Sequence, residues 1–116
     1  MDQPLCKLTL VYPIAAEERL LEIAMAARHP IGGFTTWRVE GHGQDFSRAS
    51  VAERVRGRVT RGMFVLVQTR ALIDQLLADL EAQAPVEHLT YWVEPVLAFG
   101  RMKVRETHGD TAHQAE

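Results

Sequence analysis

Cysteine is almost absent from this chain of 116 residues, since Cys6 is the only one. A single cysteine excludes a disulfide within the chain and a metal site built from cysteines alone. Long hydrophobic runs are missing too, because none reaches the roughly 20 residues that a transmembrane helix needs. The start of the chain also lacks a basic region that leads into an apolar stretch, as a secretory signal would have. We therefore expect a cytoplasmic protein that is not embedded in a membrane.

A large excess of charge of either sign is also lacking. The chain has 13 Lys and Arg against 15 Asp and Glu, which gives a formal net charge of −2. Nucleic-acid-binding domains usually carry a strongly positive surface, so we expect no nucleic acid among the partners. In contrast, 47% of the residues are hydrophobic, which is enough for one domain with a real core.

The spacing of the apolar residues predicts four strands and two helices. Alternation with a period of two predicts strands at 6–12, 34–40 and 89–93, and a run that is apolar on both faces predicts a strand at 63–69. Apolar residues at helical spacing predict helices at 15–28 and 71–83. In the first helix, Glu17, Glu18 and Glu22 are predicted to turn outward.

The order strand–helix–strand, loop, strand–helix–strand predicts the fold class. Right-handed crossovers place both helices on one face of a four-stranded antiparallel sheet, which is the ferredoxin-like α+β arrangement. This domain would span 1–106, followed by a polar, flexible tail at 107–116. The second face of the sheet would be apolar, and a face of that kind is rarely left in water, so we expect another subunit to cover it. The candidates for this face, depending on register, are Leu8, Trp37, Val65, Val67, Tyr91 and Trp92.

The long loop predicted between the second and third strands, at 41–61, is rich in arginine. It holds five arginines and only two acidic residues. Long loops inside compact domains are usually functional, and guanidinium groups pair well with phosphate or carboxylate. We expect the loop to dock an anion or an acidic partner, the alternative being a solvated surface loop. The five arginines are Arg48, Arg54, Arg56, Arg58 and Arg61.

Two short motifs flank the second predicted strand. Gly33-Phe34-Thr35 is similar to the Gly-Met-Thr of the PII signalling proteins. Gly41-His42-Gly43 begins six residues after that threonine and resembles the Gly-Phe-Gly that opens the flexible T-loop of PII proteins. The segment 44–61 then takes the place of the T-loop. Together with the predicted fold, these motifs make the chain resemble a divergent, uncharacterised group of the PII and CutA superfamily, some groups of which occur beside heavy-metal efflux genes.

This resemblance implies a function and a set of residues. It implies a homotrimer whose sheets face the threefold centre, with clefts between subunits that bind AMP, ADP or ATP. It also implies that the T-loop-like segment docks on a partner, such as a membrane transporter or an efflux component. The residues implied in ligand binding are Gly33, Phe34 and Thr35 at the base of the cleft, Gly41, Gly43 and Gln44 beside the phosphate, and Arg101 as the opposite charge.

The sequence departs from the PII pattern between the second helix and the fourth strand. PII proteins hold phosphates there with a loop rich in Gly and Lys, whereas 83–88 of this chain contains neither residue. Glu87 within this segment would repel a phosphate. We therefore expect weak binding that favours AMP or ADP over ATP.

The histidines leave a second function open. None of the five forms a tight pair of metal ligands in the sequence, so a metal site would have to assemble across the fold or between subunits. His42, between two glycines at the mouth of the loop, is the best candidate, the alternative being an exposed hinge residue. A CutA-like protein that binds a copper- or zinc-type metal is thus the alternative function, and an oligomeric interaction protein without a ligand is a third. The sequence shows no paired carboxylates, catalytic triad or run of metal ligands, so we expect no enzymatic activity.

Overall fold

The computed structural model describes residues 3–26, 31–42 and 59–103 of the chain. These residues form four strands and two α-helices in the predicted order. The elements are β1 (Leu5–Pro13), a single 3₁₀ turn (Ile14–Ala16), α1 (Glu17–Met25), β2 (Thr35–Gly41), β3 (Val59–Thr69), α2 (Arg70–Gln83) and β4 (Thr90–Pro95).

The four strands form one antiparallel sheet in the order β2-β3-β1-β4. Both helices pack on one face of this sheet, so the predicted ferredoxin-like α+β fold is confirmed. The core consists of side chains from α1 and α2 against alternate residues of the two central strands. Its fully buried large members are Leu8, Leu10, Tyr12, Leu20, Phe64, Leu66, Ile73 and Leu76.

α2 begins where the sequence indicates. The Thr69 hydroxyl accepts a hydrogen bond of 3.3 Å from the backbone N–H of Leu72, which satisfies one free donor of the first turn. β4 extends to Pro95, two residues beyond the predicted end. A proline is tolerated there because β4 is an edge strand and the missing N–H breaks no internal pairing.

β3 is longer than the prediction, because it begins at Val59 and not at Met63. Val59 pairs with Gly41, and Arg61 pairs with both Val39 and Pro13. The backbone of Arg61 therefore belongs to a central strand and not to the loop, and its role in docking stays a prediction. The β-branched Val59 and Thr60 favour this extension. The other four loop arginines, Arg48, Arg54, Arg56 and Arg58, lie outside the described residues, as do Gly43 and Gln44.

A buried tyrosine links the sheet to the start of α1. Tyr12 is fully buried, and its hydroxyl donates a 2.8 Å hydrogen bond to Glu17 Oε2. Arg38 on β2 approaches the other Glu17 oxygen at 4.0 Å. Burial, and secondarily the Glu17 carboxylate, raises the pKa of Tyr12 well above its ordinary value. Glu17 thus faces the sheet and not the solvent, which corrects the prediction that it turns outward.

The second face of the sheet, which we call the open face, carries apolar side chains that neither helix covers. Thr9 of β1 pairs with Val65 of β3 and Trp92 of β4, so these three residues share this face. Thr9 is itself buried by its neighbours, and its hydroxyl oxygen has no hydrogen-bond partner among the described residues. The larger apolar side chains of the open face are Val11, Trp37, Val39, Met63, Val65, Val67 and Trp92.

Four of the six residues predicted for the second face lie on it, and two do not. Leu8 pairs with Leu66 and is fully buried beneath the helices. Tyr91 pairs with Leu10 and lies on the same side as Leu8. The register decides this, because residues directly opposite each other in adjacent strands point to the same face. Trp37 and Trp92 remain 44% and 42% exposed, so the open face is apolar and solvent-accessible in a single copy.

The ring of Tyr12 packs directly over Gly62, so a side chain at position 62 would clash with it. A Cβ atom added to Gly62 would lie 2.6 Å from Tyr12 Cζ, and the buried ring has no free space into which to move. We expect Gly62→Ala to lower the free energy of unfolding by about 1–3 kcal/mol through overpacking. Urea denaturation followed by circular dichroism measures this difference.

Gly100→Ala is the matched control, because a Cβ atom at Gly100 has no neighbour within 4 Å. Its unfolding midpoint should stay close to that of the wild type. Equal stability of Gly62→Ala and Gly100→Ala would contradict the packing of Tyr12 over Gly62.

Candidate ligand-binding cleft

The segment that leads into β2 is fixed to β3 by one side chain. Gln68 Nε2 donates a 3.2 Å hydrogen bond to the carbonyl oxygen of Ile31, while Gln68 Oε1 accepts a 2.8 Å hydrogen bond from the backbone N–H of Thr69. Ile31 itself is 5% exposed and belongs to the core. Gly32 follows with a φ of 79°, a left-handed conformation that glycine adopts without steric cost. These contacts place Gly33 and Phe34 at the edge of the sheet.

A cleft of about 470 Å³ lies beside this segment. It is formed by the segment 31–35, by the end of β3 and by the chain that follows β4. We call it the Gly33–Arg101 cleft. Its lining residues are Ile31, Gly32, Gly33, Phe34, Thr35, Val65, Val67, Gln68, Phe99 and Arg101.

The walls of the cleft combine apolar surface with one cationic side chain. Val65, Val67 and the half-exposed Phe99 supply the apolar part. Arg101 is exposed and forms no ion pair with any residue that the structure describes, so its five N–H donors are available to an anion. This arrangement suits a ligand with a flat or apolar portion and a single anionic group.

Phe34 and Gly33 contribute to the cleft in different ways. The Phe34 ring stacks on Phe64 with the centroids 4.6 Å apart and an interplanar angle of 29°, which anchors it to the core. Gly33 has no atom within 4 Å of where its Cβ would lie, so its backbone is open to a ligand.

The structure brings together four of the seven residues predicted to bind a ligand: Gly33, Phe34, Thr35 and Arg101 all line this cleft. Gly41 lies at the other end of β2, roughly 20 Å away for six residues of strand. Gly41 pairs there with Val59, and a Cβ atom on it would come within 3.2 Å of Arg61 Cγ. A ligand of nucleotide size cannot contact Gly33 and Gly41 of one copy equally well. The binding roles of all seven residues stay predictions.

His42, the predicted metal ligand, lies at a separate cavity of about 580 Å³ beyond the end of β2. It is exposed, and Arg38, Val39, Glu40 and Thr60 complete the lining. Within 3–26, 31–42 and 59–103, no three side chains of His, Cys, Asp or Glu come close enough to hold a metal ion together. The metal-binding role of His42 is thus not tested by one copy of the chain.

Sequence analysis did not identify Gln68 and Phe99 as residues of the cleft. Gln68 is a polar residue that directly follows the apolar run 63–67, and that interruption is the signal that could have singled it out. Phe99 ends the short apolar run that follows Pro95. The sequence pattern does not show in which direction the chain runs after Pro95, so it does not place Phe99 beside Val67.

Comparison with protein families shows to which family the chain belongs. Residues 2–103 match the family model described as a protein of unknown function, DUF3240. The chain belongs to the DUF3240 family. No curated protein matches the sequence.

Among solved structures, a DUF3240 family protein from Shewanella baltica OS155 matches with a TM-score of 0.69 and 15% identity, over 88% of this chain and 100% of the other. CPII, a nitrogen regulatory PII-like protein from Thiomonas intermedia K12 bound to ADP, AMP and bicarbonate, matches with a TM-score of 0.61 and 17% identity, over 85% and 97% of the two chains. The GlnK–ATP complex of Bacillus subtilis matches with a TM-score of 0.58 and 15% identity, over 82% and 85%. These likenesses confirm that the fold of this DUF3240 member is that of the PII-like proteins. Neither helix of the described chain has the length and apolar character required to cross a bilayer.

Gly32 and Gly33 allow a matched test of how the cleft is built. Gly32→Ala places a side chain on a left-handed backbone, so we expect it to reduce stability by about 1 kcal/mol. Gly33→Ala meets open space at an ordinary backbone conformation and should leave stability unchanged or slightly increased. Thermal unfolding of both variants measures the difference. A larger loss of stability for Gly33→Ala than for Gly32→Ala would contradict the backbone conformation described for the 31–35 segment.

Proposed function

We propose that this DUF3240 protein is a non-enzymatic, PII-like regulator that assembles as a homotrimer and binds an adenine nucleotide, AMP or ADP, in the Gly33–Arg101 cleft. The observation that carries the proposal is the convergence of Gly33, Phe34, Thr35 and Arg101 on one cleft. Sixty-six residues of sequence separate Thr35 from Arg101, and only the fold brings them together. The fold is shared with CPII, whose structure contains ADP, AMP and bicarbonate.

The position of the cleft supports a site between subunits. Thr35, Val65 and Val67 line the cleft and also lie on the open face, because Thr35 pairs with Val65. A second copy that covers the open face would therefore stand beside the cleft. In that arrangement, the ligand would be approached from a neighbouring copy by Gly41, Gly43 and Gln44. Within one copy, the length of β2 keeps these residues away from the cleft.

The charges of the site favour a ligand with few phosphates. Arg101 is the single cation among the described lining residues. The apolar walls and the open backbone of Gly33 suit a purine ring, and Arg101 suits one phosphate or diphosphate group. The segment 84–88 offers no lysine and no glycine to hold further phosphates.

The regulatory step would lie in the 41–61 segment. Ligand bound beside Gly41 and Gln44 would favour one conformation of this segment, and that conformation would dock a membrane transporter or efflux component through Arg48, Arg54, Arg56 and Arg58. A ligand changes such an equilibrium only to the extent that it binds the two conformations differently. The domain at 1–106 would thus carry both the ligand site and the docking segment.

A CutA-like metal response is the second candidate function. It is favoured by one observation, the presence of Glu40 and His42 in the lining of the same cavity. A carboxylate and an imidazole are suitable ligands for a copper- or zinc-type ion, and further ligands would come from a neighbouring copy.

Calorimetric titration with AMP, ADP and ATP at millimolar concentrations tests the nucleotide proposal. We expect weak binding, with AMP or ADP preferred over ATP. Arg101→Ala should weaken binding by about tenfold to a hundredfold, because it removes a charge-assisted contact of roughly 1.5–3 kcal/mol. Arg19→Ala is the control, since it removes an exposed cation on α1 that does not line the cleft.

No binding by the wild type would reject the nucleotide proposal. Equal binding by Arg101→Ala and the wild type would reject the location of the site. A titration with zinc or copper, with His42→Ala as the variant, distinguishes the metal-binding alternative.

A further inference from the structure

The segment that follows β4, 96–103, exposes large apolar side chains, and we call it the arm. Its start is attached to β1, because the backbone N–H of Val96 donates a 3.1 Å hydrogen bond to the carbonyl oxygen of Leu5. Leu97 and Met102 are fully exposed, and Phe99 is more than half exposed. Phe99 turns towards the Gly33–Arg101 cleft, whereas Leu97 and Met102 do not line it. The arm thus carries three exposed large apolar side chains within six residues, and a cluster of this kind on a surface is typical of an interaction site.

A groove on the helix side of the molecule could receive such a side chain. The last turns of α2, the connection at 84–89 and Tyr91 enclose about 300 Å³. We call this the α2 groove. Apolar residues dominate it, and Glu81 is its single charged member. The lining residues are Leu77, Leu80, Glu81, Ala84, Pro85, Val86, Leu89 and Tyr91.

The arm of a chain cannot fill the α2 groove of the same chain. The groove lies at the start of β4, beside Leu89 and Tyr91, whereas the arm begins after Pro95 at the other end of the strand. The six residues of β4 separate the two by roughly 20 Å. The arm then runs away from the groove, because Phe99 and Arg101 line the cleft beside Gly33.

The charges of the two surfaces are complementary. Glu81 is exposed and forms no ion pair with the residues described here. Lys103, next to Met102 on the arm, is also exposed and equally without an ion pair in the described chain. Methionine is unbranched and flexible, and it fills irregular apolar spaces well.

We propose that the arm of one copy docks on the α2 groove of the next copy, with Met102 in the groove and Lys103 beside Glu81. Because the arm and the groove are different surfaces, the contact is head-to-tail, and three such contacts close a ring when neighbouring copies are related by a threefold rotation. This inference rests on the trimer in the proposed function and adds the residues that hold neighbouring copies together. It also gives the apolar residues Pro85 and Val86 a role in assembly. They lie in the segment where PII proteins carry phosphate-binding glycines and lysines and this chain does not.

Disulfide cross-linking tests the contact between Met102 and Val86. Both cysteine substitutions are made with Cys6→Ser, which removes the half-buried native thiol. When the single variants Met102→Cys and Val86→Cys are mixed and oxidised, we expect a covalent dimer that contains one of each. The double variant should give covalent trimers. A disulfide requires Cβ atoms about 3.5–4.5 Å apart, so only close neighbours react efficiently.

Met25→Cys is the matched control. Met25 is 76% exposed at the end of α1 and does not line the groove, so its mixture with Val86→Cys should stay unlinked. Equal cross-linking by Met25→Cys and Met102→Cys would overturn the inference. A disulfide formed within one copy of the double variant would overturn it as well.

Charge reversal gives an independent readout. Glu81→Lys and Lys103→Glu should each raise the dissociation constant of the trimer several-fold, and the double variant should restore it. Glu18→Lys makes the same charge change outside the groove and should leave assembly unaffected. An intact trimer that shows neither the cross-link nor the charge effect would reject arm docking while leaving the proposed function in place. Nucleotide binding, measured separately by calorimetry, is what tests that function.

Discussion

The central strands β1 and β3 carry apolar side chains on both faces, but the two helices cover only one of them. On the helix side, Leu8, Leu10, Phe64 and Leu66 are fully buried. On the other side, Val65 and Val67 share the open face with two tryptophans that are each more than two-fifths exposed. Burial of apolar surface stabilises a fold by about 25 cal/mol per Å², so the open face represents stabilisation that one copy does not use. This imbalance favours association with another copy, and the proposed trimer would cover the open face.

The same imbalance bears on the proposed ligand site. The Gly33–Arg101 cleft lies at the edge of the open face and takes Val65 and Val67 as part of its wall. A cleft in this position would change shape when a second copy approaches, which links ligand binding to assembly. The arm would connect ligand binding with assembly, because Phe99 and Arg101 belong to the cleft while Met102 is available to a neighbouring copy.

The sequence was sufficient for the elements and the fold because hydrophobic periodicity and local capping signals determine both. Thr69 caps α2 with its own hydroxyl, and the apolar stripe of that helix is visible in the sequence. Glu17 was misassigned because its partner Tyr12 lies in a strand, and a helical pattern alone does not reveal a carboxylate that turns to a buried hydroxyl. Leu8 and Tyr91 were candidates for the open face because the register, which places them on the helix side of the sheet, depends on pairing between distant strands.

The candidate site could be predicted only in part, and for a similar reason. The resemblance to PII proteins indicated Gly33, Phe34, Thr35 and Arg101, which the fold does bring together. Gln68 holds Ile31 from 37 residues away, and no local pattern encodes such a contact. Gly41 is separated from Gly33 by the length of β2, so one copy cannot unite the two motifs.

The mass of the protein in solution tests the central claim most directly. Sedimentation equilibrium at micromolar concentration should give three times the 13.0 kDa of one chain, because copies that cover one another's open faces remain associated. A mass of 13.0 kDa at that concentration would contradict the account, since Trp37 and Trp92 would then remain in water.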